Sequence, residues 1–110
     1  MKELQCLIGE QLSAVVFVQD YVQLQFDGYQ LTTYTTPLVE TLPNEWMAYE
    51  QDQYKNGLCR FITCLVEHVV SEPGRILIAF RGCSERISLP LHEGEDNVYF
   101  TDHGGGWFVV

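Results

Sequence analysis

The chain has 110 residues, with fifteen acids against six bases and a net charge of −9. That length supports one domain around one core, and the charge excludes attraction to nucleic acid or anionic lipid while favouring a basic protein partner. An apolar fraction of 46% argues against disorder, and no stretch approaches the roughly 20 apolar residues of a membrane helix.

The N-terminal stretch MKELQCLIGEQL sets Glu3 and Glu10 around a short apolar stripe. It lacks the unbroken apolar run of a secretory signal, which predicts a cytoplasmic chain. Leu4, Leu7, Ile8 and Leu12 recur at helical spacing and predict a helix. A β-branched run around Val15 and Val16 follows, then a turn at Gln19-Asp20. Val22, Leu24 and Phe26 alternate with polar residues, as a half-buried strand requires. Asp27-Gly28 is a type I′ hairpin signal. The return strand, Leu31 to Thr35, is rich in threonine and tyrosine and fits a sheet with one partly solvated face; Pro37 should end it.

Residues 37–56 read as a linking segment. Pro43-Asn44 predicts a turn and cap, with Glu45 in the first turn of a short exposed helix. Glu45, Trp46, Tyr49, Glu50, Asp52 and Tyr54 interleave aromatics with acids, a composition suited to anchoring a basic protein. The competing reading is a linker that packs Trp46 onto the sheet.

The next block repeats the first. At a constant separation of 54 residues, Leu4 corresponds to Leu58, Ile8 to Ile62, Val15 and Val16 to Val69 and Val70, Phe26 to Phe80 and Gly28 to Gly82. Leu58, Phe61, Ile62, Leu65, Val66 and Val69 predict a second helix. Glu72-Pro73-Gly74 is its turn; Ile76, Ile78 and Phe80 mark a strand, and Arg86 to Leu89 the return. The tail adds a loop at 92–97, strands at Val98 to Thr101 and Trp107 to Val110, and a hairpin loop from Asp102 to Gly106. The expectation is one α+β domain over 1–110. Two helix-plus-meander repeats, 4–36 and 58–90, would build a mainly antiparallel sheet with helices packed on it.

Chemical motifs are sparse. HGGG at His103 to Gly106 resembles an esterase oxyanion loop, but no GxSxG elbow accompanies it. Cys59, Cys64 and His68 invite a metal check, with Cys64 and His68 sharing a face if that segment is helical. Asp102-His103 beside Glu93, Glu95 and Asp96 has no Ser or Cys nucleophile tied to it. Cys6, Cys59, Cys64 and Cys83 are irregularly spaced and read as reduced thiols. No catalytic residue, cofactor or resident metal is expected.

Leu7-Ile8-Gly9, Asp20-Tyr21 and Phe26-Asp27-Gly28 resemble a pattern in small bacterial proteins of unknown function, some of them immunity proteins that neutralise toxins. The resemblance covers about the first 35 residues and, more faintly, Leu65 to Leu89. It implies a compact α+β binding domain and no catalytic residue. The functional expectation is a non-enzymatic, acidic protein-binding module, of immunity-inhibitor type, for a basic partner. The alternatives are a small-molecule or metal-binding domain, and a structural homodimer.

Overall fold

Strands, not helices, dominate the chain. The computed structural model describes residues 2–42, 45–48, 53–102, 104 and 106–109. Among these, a 3-10 helix (Lys2–Leu7) leads into β1 (Leu12–Val18), β2 (Tyr21–Phe26) and β3 (Tyr29–Thr33). A hairpin of β4 (Leu38–Leu42) and β5 (Glu45–Met47) comes next, then the short helix α1 (Tyr54–Cys59). The second meander is β6 (Val66–Glu72), β7 (Arg75–Phe80) and β8 (Arg86–Pro90), and a hairpin of β9 (Val98–Asp102) and β10 (Trp107–Val109) closes the chain.

The strands form two antiparallel five-stranded sheets, ordered β1-β2-β3-β9-β10 and β5-β4-β8-β7-β6. Each sheet is therefore a meander from one half of the chain completed by a hairpin from the other. One core lies between them, with Leu24, Leu31, Ile76, Ile78, Ile87 and Leu89 fully buried. Phe61 stacks on Phe80 at 4.6 Å between ring centroids.

The expected α+β fold with packed helices is thus incorrect, and the reason is local. Leu12 and Val15 are three apart, as on a helix, but both lie on β1, where the register slips between Leu12 and Ala14. Val66 and Val69 repeat this on β6, with the slip between Val66 and His68. A bulge inserts one residue and turns the strand period of two into a spacing of three, which imitates a helix. The true helical turns stop early: Gly9 and Thr63 take φ of +88° and +81°, and the left-handed conformation terminates a right-handed turn.

Gly9 and Thr63 are 54 residues apart, as are the two bulges. Backbone bonds between the segments are reciprocal at the same spacing. The Gly9 N–H donates to Val66 O and the Thr63 N–H to Leu12 O, each at 2.8 Å; Leu12 N–H donates to Cys64 O at 3.0 Å and Val66 N–H to Glu10 O at 2.9 Å. Contacts of i with j matched by their equivalents in reverse are what a local twofold produces.

The linking segment also departs from expectation. Glu45, Trp46 and Met47 form strand β5, not a helix, because Val39 pairs with Met47 and Glu40 with Trp46. The expected cap, Pro43-Asn44, lies outside the described residues.

Candidate functional site

The three described residues of the expected aromatic-acid patch, Glu45, Trp46 and Tyr54, do not share one surface. Glu45 is exposed on β5 and Trp46 is half-buried. Tyr54 is fully buried; its ring meets Phe17 edge-on at 6.5 Å and its hydroxyl donates to Pro37 O at 2.5 Å. As a surface anchor, Tyr54 is therefore a correction: folding uses it to tie α1 to the start of β4. Tyr49, Glu50 and Asp52 lie outside the described residues.

Trp46 instead seals the outward face of the second sheet. Its ring lies 5.3 Å from the Arg75 guanidinium carbon and 5.6 Å from that of Arg86, within cation–π range. Arg86 donates through Nε and Nη2 to the two Glu40 oxygens, both at 2.9 Å, and Arg75 Nε donates to Glu72 at 3.0 Å. The Glu40 side chain is only 5% exposed. The hydrogen bond to Glu40 raises the Arg86 pKa against the opposing effect of burial, so the guanidinium keeps its charge in this setting. Leu77 and Ser88 point outward by register, since they pair between the inward Ile76/Leu89 and Ile78/Ile87 pairs, yet are 3% and 1% exposed. The centre of this face is closed by its own side chains, while Val70, paired with Leu77 on the edge strand β6, is 46% exposed.

The outward face of the first sheet is different. β1, β2 and β3 contain no charged residue, in a chain of net charge −9. Alternation turns Tyr21, Gln23 and Gln25 outward on β2, Gln30 and Thr32 on β3, and Tyr99 and Thr101 on β9. Glutamine and threonine side chains link across it: Gln23 Nε2 and Gln30 Nε2 donate to Thr32 Oγ1 at 3.4 and 3.3 Å. At one end three tyrosines meet. Tyr34 lies 5.6 Å from Tyr21 and 5.5 Å from Tyr99 between ring centroids, and is 49% exposed.

Buried polar groups fix this end of the face. Tyr34 N–H donates to Asn97 O at 2.8 Å. Asn97, 4% exposed, folds the preceding loop by accepting from His92 N–H and donating to the His92 and Glu95 carbonyls. Beneath Tyr34, Thr33 Oγ1 donates to Thr35 O at 2.7 Å and Thr35 Oγ1 to Pro90 O at 2.6 Å, which ties the crossover to the second sheet. The tyrosines stand on a braced scaffold, which lowers the entropy lost when a partner immobilises them. An open cleft of ≈160 Å³ beside them is lined in part by Gln19, Asp20, Tyr21, Tyr34 and Thr36. Exposed Asp20, Glu95 and Asp96 lie at the same end, so acid borders the aromatic patch without entering it.

Sequence reasoning missed Tyr21, Tyr34 and Tyr99. The available signal was negative: polar positions in the first meander are serine, glutamine, threonine and tyrosine, whereas those of the second include Glu67, Glu72, Arg75 and Arg86.

The remaining motifs take structural places. Asp102 Oδ1 accepts N–H bonds from Gly104 and Gly106 at 2.9 and 2.8 Å, so these two donors of the HGGG run close a hairpin. A Cβ on Gly106 would sit 2.9 Å from Asp102 Oδ2, so a larger residue there would displace the carboxylate that accepts the two glycine N–H bonds. His103 and Gly105 lie outside the described residues. Cys64 and His68 share no helix face, since β6 begins at Val66, and His68 is exposed beside Glu67. Cys64 instead meets Cys83, with the sulfurs 3.7 Å apart. Among the described residues, no three His, Cys, Asp or Glu side chains converge in a way that could hold a metal ion.

No protein-family model, no curated protein and no solved structure matches this chain.

Proposed function

We propose that the chain is a non-enzymatic protein-binding module that presents the outward face of its first sheet to a basic partner. The observation that supports this is the contacting set Tyr21, Tyr34 and Tyr99, on a face whose meander strands hold no charge, with Asp20, Glu95 and Asp96 at its border. Interfaces favour this layout: aromatics in the centre, charge excluded from it, polar groups at the rim. The centre supplies contact area and the rim steers a positively charged partner. Occlusion of a basic enzyme, in the manner of an immunity protein, is the form of binding that the acidic balance suits.

The test is capture from a lysate of the source cell on the intact protein, at low and at high salt. A cognate partner is retained at low salt, weakened at high salt, and weakened further when Asp20→Lys reverses the rim charge. Retention that ignores both salt and the Asp20 substitution would refute the electrostatic part.

The ≈160 Å³ cleft beside Tyr34 supports a second reading, a small neutral polar ligand stacked on a tyrosine ring. A thermal-shift panel on the purified protein separates the two, because only this reading expects a melting shift without a protein partner.

A further inference from the structure

Two thiols meet at the start of the second meander, away from the tyrosine face. Cys64 Sγ and Cys83 Sγ are 3.7 Å apart, and both residues are partly buried at the edge of the core. The backbone keeps their segments adjacent: Arg81 N–H donates to Leu65 O at 2.8 Å and Cys83 N–H to Phe80 O at 3.2 Å. Neither cysteine lies within a helix or strand. A sulfur–sulfur bond is about 2 Å long, so closing the gap takes side-chain rotation and a small loop adjustment, with the ladders left intact.

The equivalent corner of the first half does without this pair. At the 54-residue spacing, Glu10 stands in place of Cys64 and Tyr29 in place of Cys83. The fold builds the same backbone bonds there, Glu10 N–H to Leu7 O matching Cys64 N–H to Phe61 O, both at 2.9 Å. The corner therefore does not need paired sulfur to form, and the pairing calls for a separate explanation.

We propose that Cys64 and Cys83 are a reversible thiol–disulfide pair, oxidised by exchange with a small-molecule disulfide such as oxidised glutathione. One thiol loses its proton to solvent and its sulfur attacks the reagent disulfide. That bond breaks, a mixed disulfide forms, and one glutathione thiolate leaves. The second cysteine loses its proton and attacks the protein-bound sulfur of the mixed disulfide, forming the Cys64–Cys83 bond and releasing the second glutathione. The protein gives up two electrons and two protons, and the reagent takes up both as two thiols. Burial holds the Cys83 thiol above its usual range, with the Cys64 thiol and Glu85 adding to this and Arg60 offsetting part. Its exchange therefore quickens as pH rises through the alkaline range.

The intact protein tests this. It is incubated with oxidised glutathione, alkylated, and analysed by peptide mass mapping. Two of the four thiols become resistant to alkylation, and one linked species joins the peptides carrying Cys64 and Cys83. Cys6 and Cys59 still alkylate, and a dithiol reductant restores all four sites. In Cys83→Ser, glutathione stays attached at Cys64 because the resolving thiol is gone. Four alkylated thiols after oxidation, a link through Cys6 or Cys59, or wild-type protein that retains glutathione at Cys64 would each overturn the proposal.

Discussion

On the outward face of the second sheet, Trp46 packs against two guanidiniums that are themselves tied to Glu40 and Glu72. On that of the first, Tyr34 stands 49% exposed between Tyr21 and Tyr99, on a meander without a charged residue. Each sheet is built alike, from a three-strand meander and an exchanged hairpin. They differ in where interaction capacity is spent. Arginine, tryptophan and glutamate satisfy one another within the second face. The first keeps its aromatic surface available, with acids at its border.

That contrast can be broken at several points. Replacing Arg86 by Leu strands the Glu40 carboxylate, 5% exposed, without its bidentate donor. Denaturant unfolding should show a loss of about 3 kcal/mol, most of it recovered when Glu40→Leu is added. Trp46→Ala removes the ring that Arg75 and Arg86 pack against and uncovers the sheet beneath; the same measurement should show a loss of about 2 kcal/mol.

A smaller change, of opposite sign, compares the two halves. Thr63 holds φ of +81° where its equivalent, Gly9, holds +88° without a Cβ. Thr63→Gly should stabilise by about 1 kcal/mol, since a β-branched residue is costly in that conformation. The smallest effect concerns pH. A backbone hydrogen bond and the Arg60 ion pair at 2.9 Å hold the Glu85 carboxyl below its usual range, against the opposing effect of burial. Its contribution is present above the unfolded carboxylate pKa of about 4.3 and is lost as pH falls through the lower folded value. The difference in melting temperature between wild type and Glu85→Gln should therefore be small at neutral pH and vanish in acid.

How far these features were legible depends on how local they are. Val22, Leu24 and Phe26 alternate between tight turns, as do Ile76, Ile78 and Phe80, and their strands lie where alternation puts them. The bulges at Leu12/Ala14 and Val66/His68 defeat the same reasoning, because a slipped strand and a helix share a spacing of three. The β4–β5 hairpin was hidden for another reason: it is held by β8, through pairs such as Val39 with Ile87 that no local pattern announces. The site follows the same logic. Residues 45–54 are contiguous in the chain, and folding sends Trp46 to an outer face and Tyr54 into the core. Tyr21, Tyr34 and Tyr99 are far apart in the chain, and the β2–β3 and β3–β9 pairings bring them together.

Calorimetric titration of an isolated partner against three forms of the protein tests the central contrast most directly. Tyr34→Ala with Tyr99→Ala should weaken binding at least tenfold, a loss of about 1.4 kcal/mol or more, while Trp46→Ala, though less stable, should bind as wild type does at a temperature where all three are folded. Unchanged affinity in the tyrosine variant, or a loss confined to Trp46→Ala, would contradict the account.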